Sequence, residues 1–230
     1  MKIGIVDTGI MTNLICEDKE DRFDVSSLFD HKRSSFSEVE DFHGHGTAVA
    51  SFLAALCPEA TLAPVRIAQV HGDRCTPFVP EKDIALGINW CIDNRIRLIN
   101  ISYSIEEVLD NGPLIATCRK AADNNVILVA SFRNGSKKPV YPAAFPTVIG
   151  VTVRRDLDHA QIAIVSEKNH NVAAFGGPYQ IISPGSEPKI VSGTSFATAQ
   201  VTAMIARMLT IRAALTLKQA FRYLTKYATR

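Results

Sequence analysis

Val126-Ile127-Leu128-Val129-Ala130 is an unbroken run of apolar residues. A strand with one wet face alternates apolar and polar side chains. A run this uniform instead suits a strand buried on both faces, inside a parallel sheet. Outward from it the signal repeats. Lys2 to Val6, Leu62 to Ile67, Leu98 to Ser102, Val148 to Val153 and Gln180 to Ser183 all read as strands. Between them the period changes to that of a helix. From His45 to Leu56, Val49, Phe52, Leu53 and Leu56 share a face; from Glu81 to Asn94, Ile84, Ile88, Trp90 and Ile92 point toward apolar neighbours. Pro113 to Asp123, Ser195 to Leu209 and Leu217 to Tyr227 complete the helices. Strands alternating with helices predict an α/β domain with a mostly parallel central sheet covered on both sides. The polar stretch from about Asn13 to Phe42 reads as irregular, with room for one short element.

The chain has 230 residues, 47% hydrophobic and 21% charged, with a formal charge of +2. That length and balance suit one domain, residues 1–230, with a substantial core. Near-neutral charge makes no case for a nucleic acid or a membrane as partner, and Arg154-Arg155 and Lys137-Lys138 read as solvated pairs. No run of about eighteen apolar residues is present, so no spanning helix is expected. The N-terminus reaches Asp7 too early for a signal peptide and reads as the first core strand. Five cysteines, Cys16, Cys57, Cys75, Cys91 and Cys118, are odd in number and lack metal-ligand spacing. Cys57 and Cys91 fall on helical apolar patterns. With no export signal, a cytoplasmic setting with reduced thiols is the simplest expectation.

Three short runs carry chemistry. Asp7 ends the first strand in Val6-Asp7-Thr8-Gly9, His45 opens a helix in Gly44-His45-Gly46-Thr47, and Ser195 opens another in Gly193-Thr194-Ser195-Phe196-Ala197-Thr198. In open parallel sheets the working crevice lies at the carboxyl ends of strands, where helices begin. All three groups can therefore converge on one edge. A serine hydroxyl needs a base within hydrogen-bond reach, and a histidine needs a carboxylate to hold its tautomer. The order Asp, His, Ser is one of the few in which such triads occur. A metal at His43 and His45 lacks a convincing third ligand.

These blocks, with Asp41-Phe42-His43-Gly44-His45-Gly46-Thr47-Ala48-Val49-Ala50 taken whole, resemble the three signature blocks of the subtilisin-like serine proteases. The resemblance continues through Leu98-Ile99-Asn100-Ile101-Ser102, like the family strand that lines the substrate cleft. It extends through Tyr141-Pro142-Ala143-Ala144-Phe145-Pro146 and the turn Ser183-Pro184-Gly185. It implies a three-layer α/β/α subtilisin-like fold and a serine endopeptidase with Asp7, His45 and Ser195 as the catalytic set. It implies oxyanion donors from Asn134 and the Ser195 amide. It also implies a cleft lined by Ser102, Tyr103, Ser104, Ile105 and Val140. Tyr103 could line that cleft or pack against the neighbouring helix.

Several positions depart from the family pattern. Phe132 and Arg133 stand where small residues usually precede the oxyanion asparagine, and an Arg133 that displaced Asn134 would leave a slow enzyme. Ser104 and Ile105 replace two glycines, so the pocket for the residue before the cut should be narrower. Ala199 replaces a proline and should be tolerated. Glu106 and Glu107 could meet a basic substrate residue or be simply solvated. The chain passes from the His45 helix to the next strand directly through Cys57-Pro58-Glu59-Ala60, so the calcium loop of many relatives is not expected, nor is any cofactor or metal. The expected substrate is a peptide or protein, in a narrow processing task such as maturing a precursor. A separate prodomain-like chaperone or inhibitor remains open as a partner. The rival expectations are a non-catalytic binding or scaffolding domain that keeps the triad, and an esterase or amidase for small molecules.

Overall fold

The computed structural model describes residues 1–11, 29–30, 41, 43–68, 79–135, 138–181 and 187–229. Most of the polar stretch 13–42, Cys16, Cys75 and the turn at Ser183-Pro184-Gly185 lie outside them. The elements in chain order are β1 (Lys2–Asp7), β2 (Phe29–Asp30), α1 (His45–Leu56), β3 (Thr61–Arg66), α2 (Glu81–Asp93), β4 (Leu98–Ile101), α3 (Pro113–Asp123) and β5 (Ile127–Ser131). They continue with β6 (Ile149–Val153), β7 (Ile162–Ser166), β8 (Asn171–Ala174), β9 (Tyr179–Ile181), β10 (Lys189–Val191), α4 (Thr194–Ile211) and α5 (Leu217–Tyr227).

The main sheet runs β2-β3-β1-β4-β5-β6-β8-β7, parallel throughout except for the antiparallel pair β7–β8. The order reverses beside β1. Its first crossover passes through α1 to β3 on one side, and the following one passes through α2 to β4 on the other. Alternation along each strand sends successive residues to opposite faces. Ile3, Ile5, Leu62, Leu98, Ile127 and Val129 pack with α1, α4 and α5. Val6, Val65, Ile99, Ile101, Leu128 and Ala130 pack with α2 and α3. The expected three-layer arrangement is what forms.

The continuous apolar strands appear where expected. The edge hairpin of β7 and β8 was not foreseen, because Val165, Ser166, Lys168 and Asn169 break the buried-strand pattern. Its outer strand leaves Val165 exposed and carries a register shift between Ile164 and Ser166. Of the β9–β10 ribbon the sequence suggests only one strand, at Gln180 to Ser183; β9 stands at Tyr179–Ile181, and residues 182 and 183 lie outside the described ones. Helix α4 begins one residue earlier than expected and runs unbroken through Ala199, which is fully buried. A polar pillar crosses the core on this side. Thr202 of α4 donates to Asn100 Oδ1 at 3.0 Å, and Asn100 Nδ2 donates to Ser102 Oγ at 3.0 Å. All three residues are buried, so each polar atom used here keeps a partner after losing water. Cys57, Cys91 and Cys118 are buried free thiols. No described helix is long and apolar enough to cross a membrane.

Candidate active site

Asp7 is the last residue of β1, His45 the first of α1, and Ser195 the second of α4. Strand ends and helix starts share one edge of a parallel sheet, and the three side chains meet there. His45 Nδ1 lies 2.7 Å from Asp7 Oδ1, and His45 Nε2 lies 3.0 Å from Ser195 Oγ. Asp7 Oδ1 also accepts the Thr8 backbone N–H at 2.7 Å. An ionised carboxylate can only accept, so with Asp7 charged the proton sits on Nδ1 and Nε2 is free to accept from the serine. Asp7 Oδ2 is buried with no hydrogen-bond partner among the described residues.

The Asp7 side chain is 1% exposed and the His45 side chain 27%. The Asp7 charge raises the His45 imidazole above its ordinary value of 6.5, outweighing burial, which lowers it; the hydrogen bond to Asp7 and the charge of Asp41 add to the rise. A carboxylate beside a half-shielded imidazole favours the charged form in this way.

The sequence motif gives Asp41 no role, and the structure supplies one. Buried under the start of α1, it accepts N–H groups from His43 at 3.1 Å, Gly44 at 2.8 Å and Thr47 at 2.8 Å, plus the Thr47 hydroxyl at 2.7 Å. A carboxylate at a helix N-terminus satisfies orphan donors and opposes the dipole favourably. Asp41 is thus a positioning residue for His45. Its spacing from Thr47 was the available signal. Thr8 Oγ1 accepts the Gly46 N–H at 2.8 Å, and Thr47 Oγ1 accepts the Met11 N–H at 3.0 Å, stitching α1 to the loop after β1. Gly46 permits that contact: a β-carbon there would stand 2.3 Å from the Gly9 carbonyl oxygen. Gly46→Ala is expected to destabilise the protein by about 1–3 kcal/mol through overpacking, read as a lowered midpoint in urea.

The second half of the site forms around Gly193, whose φ of 133° lies in the region that favours glycine. The Gly193 N–H donates to Gly176 O at 2.7 Å, which pins the turn before Ser195. Asn134 accepts the Thr194 N–H through Oδ1 at 3.1 Å. That bond orients the amide, and its Nδ2 lies 3.0 Å from where a β-carbon on Gly193 would be. Arg133 does not displace it. The Arg133 guanidinium turns outward to pair with Glu106, with its second nitrogen 3.5 Å from Ser104 O. Glu106 is thus an exposed residue paired with Arg133.

Of the expected cleft residues, Tyr103 packs against the helix side, in the α2/α3 cluster, and also reaches His45, its ring edge-on at 6.5 Å. Burial pushes its phenol well above the ordinary value. Ser102 is buried; Ser104 and Ile105 are half-buried. Ile105 exchanges two backbone hydrogen bonds with Tyr141, at 2.9 and 2.8 Å. Val140, just before that bridge, is fully buried. His43 is an exposed neighbour, 6.2 Å from His45 between ring centres. Among the described residues no three His, Cys, Asp or Glu side chains come together as a metal site.

A parallel α/β sheet with a hydrogen-bonded Asp–His–Ser chain at its carboxyl edge defines a class of serine-dependent hydrolase folds. Residues 1–229 match the model of the subtilase family, and the chain belongs to that family. It is 31% identical to a subtilisin-like protease, het-Q2, of Podospora anserina, over 74% of this chain and 49% of that protein. It is 29% identical to the minor extracellular protease Epr of Bacillus subtilis (strain 168), over 90% of this chain and 31% of that one. The chain thus spans half or less of the length of these two curated relatives. Among solved structures, a cold adapted subtilisin-like serine proteinase superposes with a TM-score of 0.75 at 18% identity, covering 98% of this chain and 81% of that one. A lanthipeptide protease does so with 0.75 at 19%, covering 100% and 81%.

Proposed function

We propose that this chain is a serine endopeptidase that cuts peptide bonds through an acyl-enzyme on Ser195. The observation that carries the reading is the continuous hydrogen-bonded line from Asp7 through His45 to Ser195. In the reaction, Ser195 Oγ attacks the scissile carbonyl carbon while His45 Nε2 takes the hydroxyl proton. Asp7 Oδ1 holds Nδ1–H and stabilises the imidazolium that results. The carbonyl oxygen becomes an oxyanion, met by the Ser195 N–H at the start of α4 and by Asn134 Nδ2. The helix dipole adds its positive end there. On collapse, the C–N bond breaks and His45 passes its proton to the leaving amine. Water, deprotonated by the same histidine, then frees the acid and restores Ser195.

We assign Ser102, Tyr103, Ser104 and Ile105 to the pocket for the residue before the cut; Val140, expected there too, is fully buried and offers a substrate no surface. Side chains at 104 and 105, with the Arg133–Glu106 pair across the rim, support a narrow cleft. A narrow cleft suits maturation of a particular peptide or protein precursor better than general turnover. A cytoplasmic setting belongs to the same proposal and fits the buried free thiols at Cys57, Cys91 and Cys118.

Labelling with a fluorophosphonate probe tests the activated nucleophile. Wild type should label, while Ser195→Ala and His45→Ala should not. A folded wild type that stays unlabelled sinks the reading in favour of a binding domain. Labelling without cleavage of any peptide in a broad library points to a small-molecule esterase. Asn134→Ala should lower kcat by about 10²–10³ with KM little changed, because its amide meets charge that exists only in the transition state. Steady-state kinetics on the best library peptide reads this directly.

A further inference from the structure

Behind Asn134 and Gly193 opens a pocket of about 740 Å³. None of the cleft residues 102–105 lines it. Its walls include Val153, Phe175 and Pro178, and Arg155 is the one charged side chain among the lining residues. Arg155 stands in the turn that follows β6, which is closed by the Leu157 N–H donating to Arg154 O at 3.4 Å. Arg154 is occupied, donating to both carboxylate oxygens of Asp156 at 3.1 and 2.5 Å. Arg155 makes no hydrogen bond or ion pair among the described residues. The apolar wall is held in place: Phe175 is edge-on to His159 at 4.7 Å and to Tyr179 at 5.7 Å. The Gly193–Gly176 hydrogen bond ties the pocket floor to the turn that carries Ser195.

A peptide whose carbonyl sits on Ser195 must leave in two directions. The half before the cut lies along Ser102–Ile105. The half after the cut then faces this pocket. We infer that the pocket receives the leaving-group side of the substrate and that Arg155 selects a carboxylate there. The carboxylate would belong to an acidic side chain or to the peptide's own C-terminus. This inference rests on the endopeptidase reading above. A guanidinium forms a forked pair with a carboxylate, which adds orientation to charge.

The test uses fluorogenic peptides that share the sequence before the cut and carry Asp, Asn or Lys at the first three positions after it. Each is made with a free and with an amidated C-terminus. Wild type should show kcat/KM about three- to fivefold higher for one acidic position, or for the free acid, than for its neutral counterpart, the range of an exposed ion pair. Which series responds identifies the source of the carboxylate. Arg155→Gln should erase the preference and Arg155→Glu should turn it toward Lys. Arg154→Gln, as a control, should leave it unchanged. A wild type indifferent to charge after the cut, or a preference that survives in Arg155→Gln, overturns the inference and leaves the endopeptidase reading intact. A wild type that cleaves no peptide overturns both.

Discussion

Ser195→Ala is expected to lower kcat for peptide hydrolysis by about 10⁶, and adding His45→Ala to cost almost nothing more. The reason is geometric. His45 Nε2 has one task in the first step, which is to accept the proton from Ser195 Oγ across 3.0 Å. Remove the hydroxyl and the base has nothing to activate; remove the base and the hydroxyl stays a poor nucleophile. Two groups that act only together cannot contribute separately. A residual rate of about 10³–10⁴ over water should survive in the double variant, because its backbone donors and Asn134 still bind the oxyanion. Single-turnover assays at high enzyme concentration check both expectations. A double variant far slower than either single one would mean that His45 also serves a different nucleophile.

Asp7→Asn is expected to lower kcat by about 10⁴ and to shift the pH profile. Asn keeps an oxygen for the Thr8 N–H and His45 Nδ1, but its amide nitrogen would replace the unpartnered, buried Oδ2. Geometry survives in part, whereas the charge that stabilises the imidazolium is lost. In wild type His45 must be neutral to act, and Asp7 raises its pKa. Activity should therefore rise with pH through a midpoint above 6.5. In Asp7→Asn the burial that lowers the pKa is no longer opposed by Asp7, so the midpoint should fall. Stability moves with it. Protonated His45 paired with Asp7 stabilises the fold fully below the unfolded-state value, and this contribution is lost as pH rises through the raised folded value. Asp7→Asn should flatten that part of the stability profile, read by urea unfolding between about pH 5 and 8.

The proposed catalytic set was legible because each member stands at a local boundary. Asp7 ends an apolar run, while His45 and Ser195 each follow a glycine-bearing turn into a helix, and local chemistry writes such boundaries into the chain. Buried parallel strands were legible for a similar reason: with both faces in the core, they leave no polar interruption. The β7–β8 hairpin was not, since an edge strand with one face in water has a mixed composition that also fits a loop. The role of Asp41 was missed because its partners are mostly backbone N–H groups, which every residue type carries.

From sequence alone came the fold class, the three candidate reacting groups and the side of the sheet where they meet, because periodicity and turn chemistry act over a few residues. Tertiary structure decided the rest. The direction of Arg133 depends on Glu106, the orientation of Asn134 on the Thr194 N–H, and the lining of the Arg155 pocket on Phe175 and Pro178. Each depends on partners that lie twenty or more residues away along the chain. Such contacts exist only after the sheet and its helices have packed, and no local pattern encodes them.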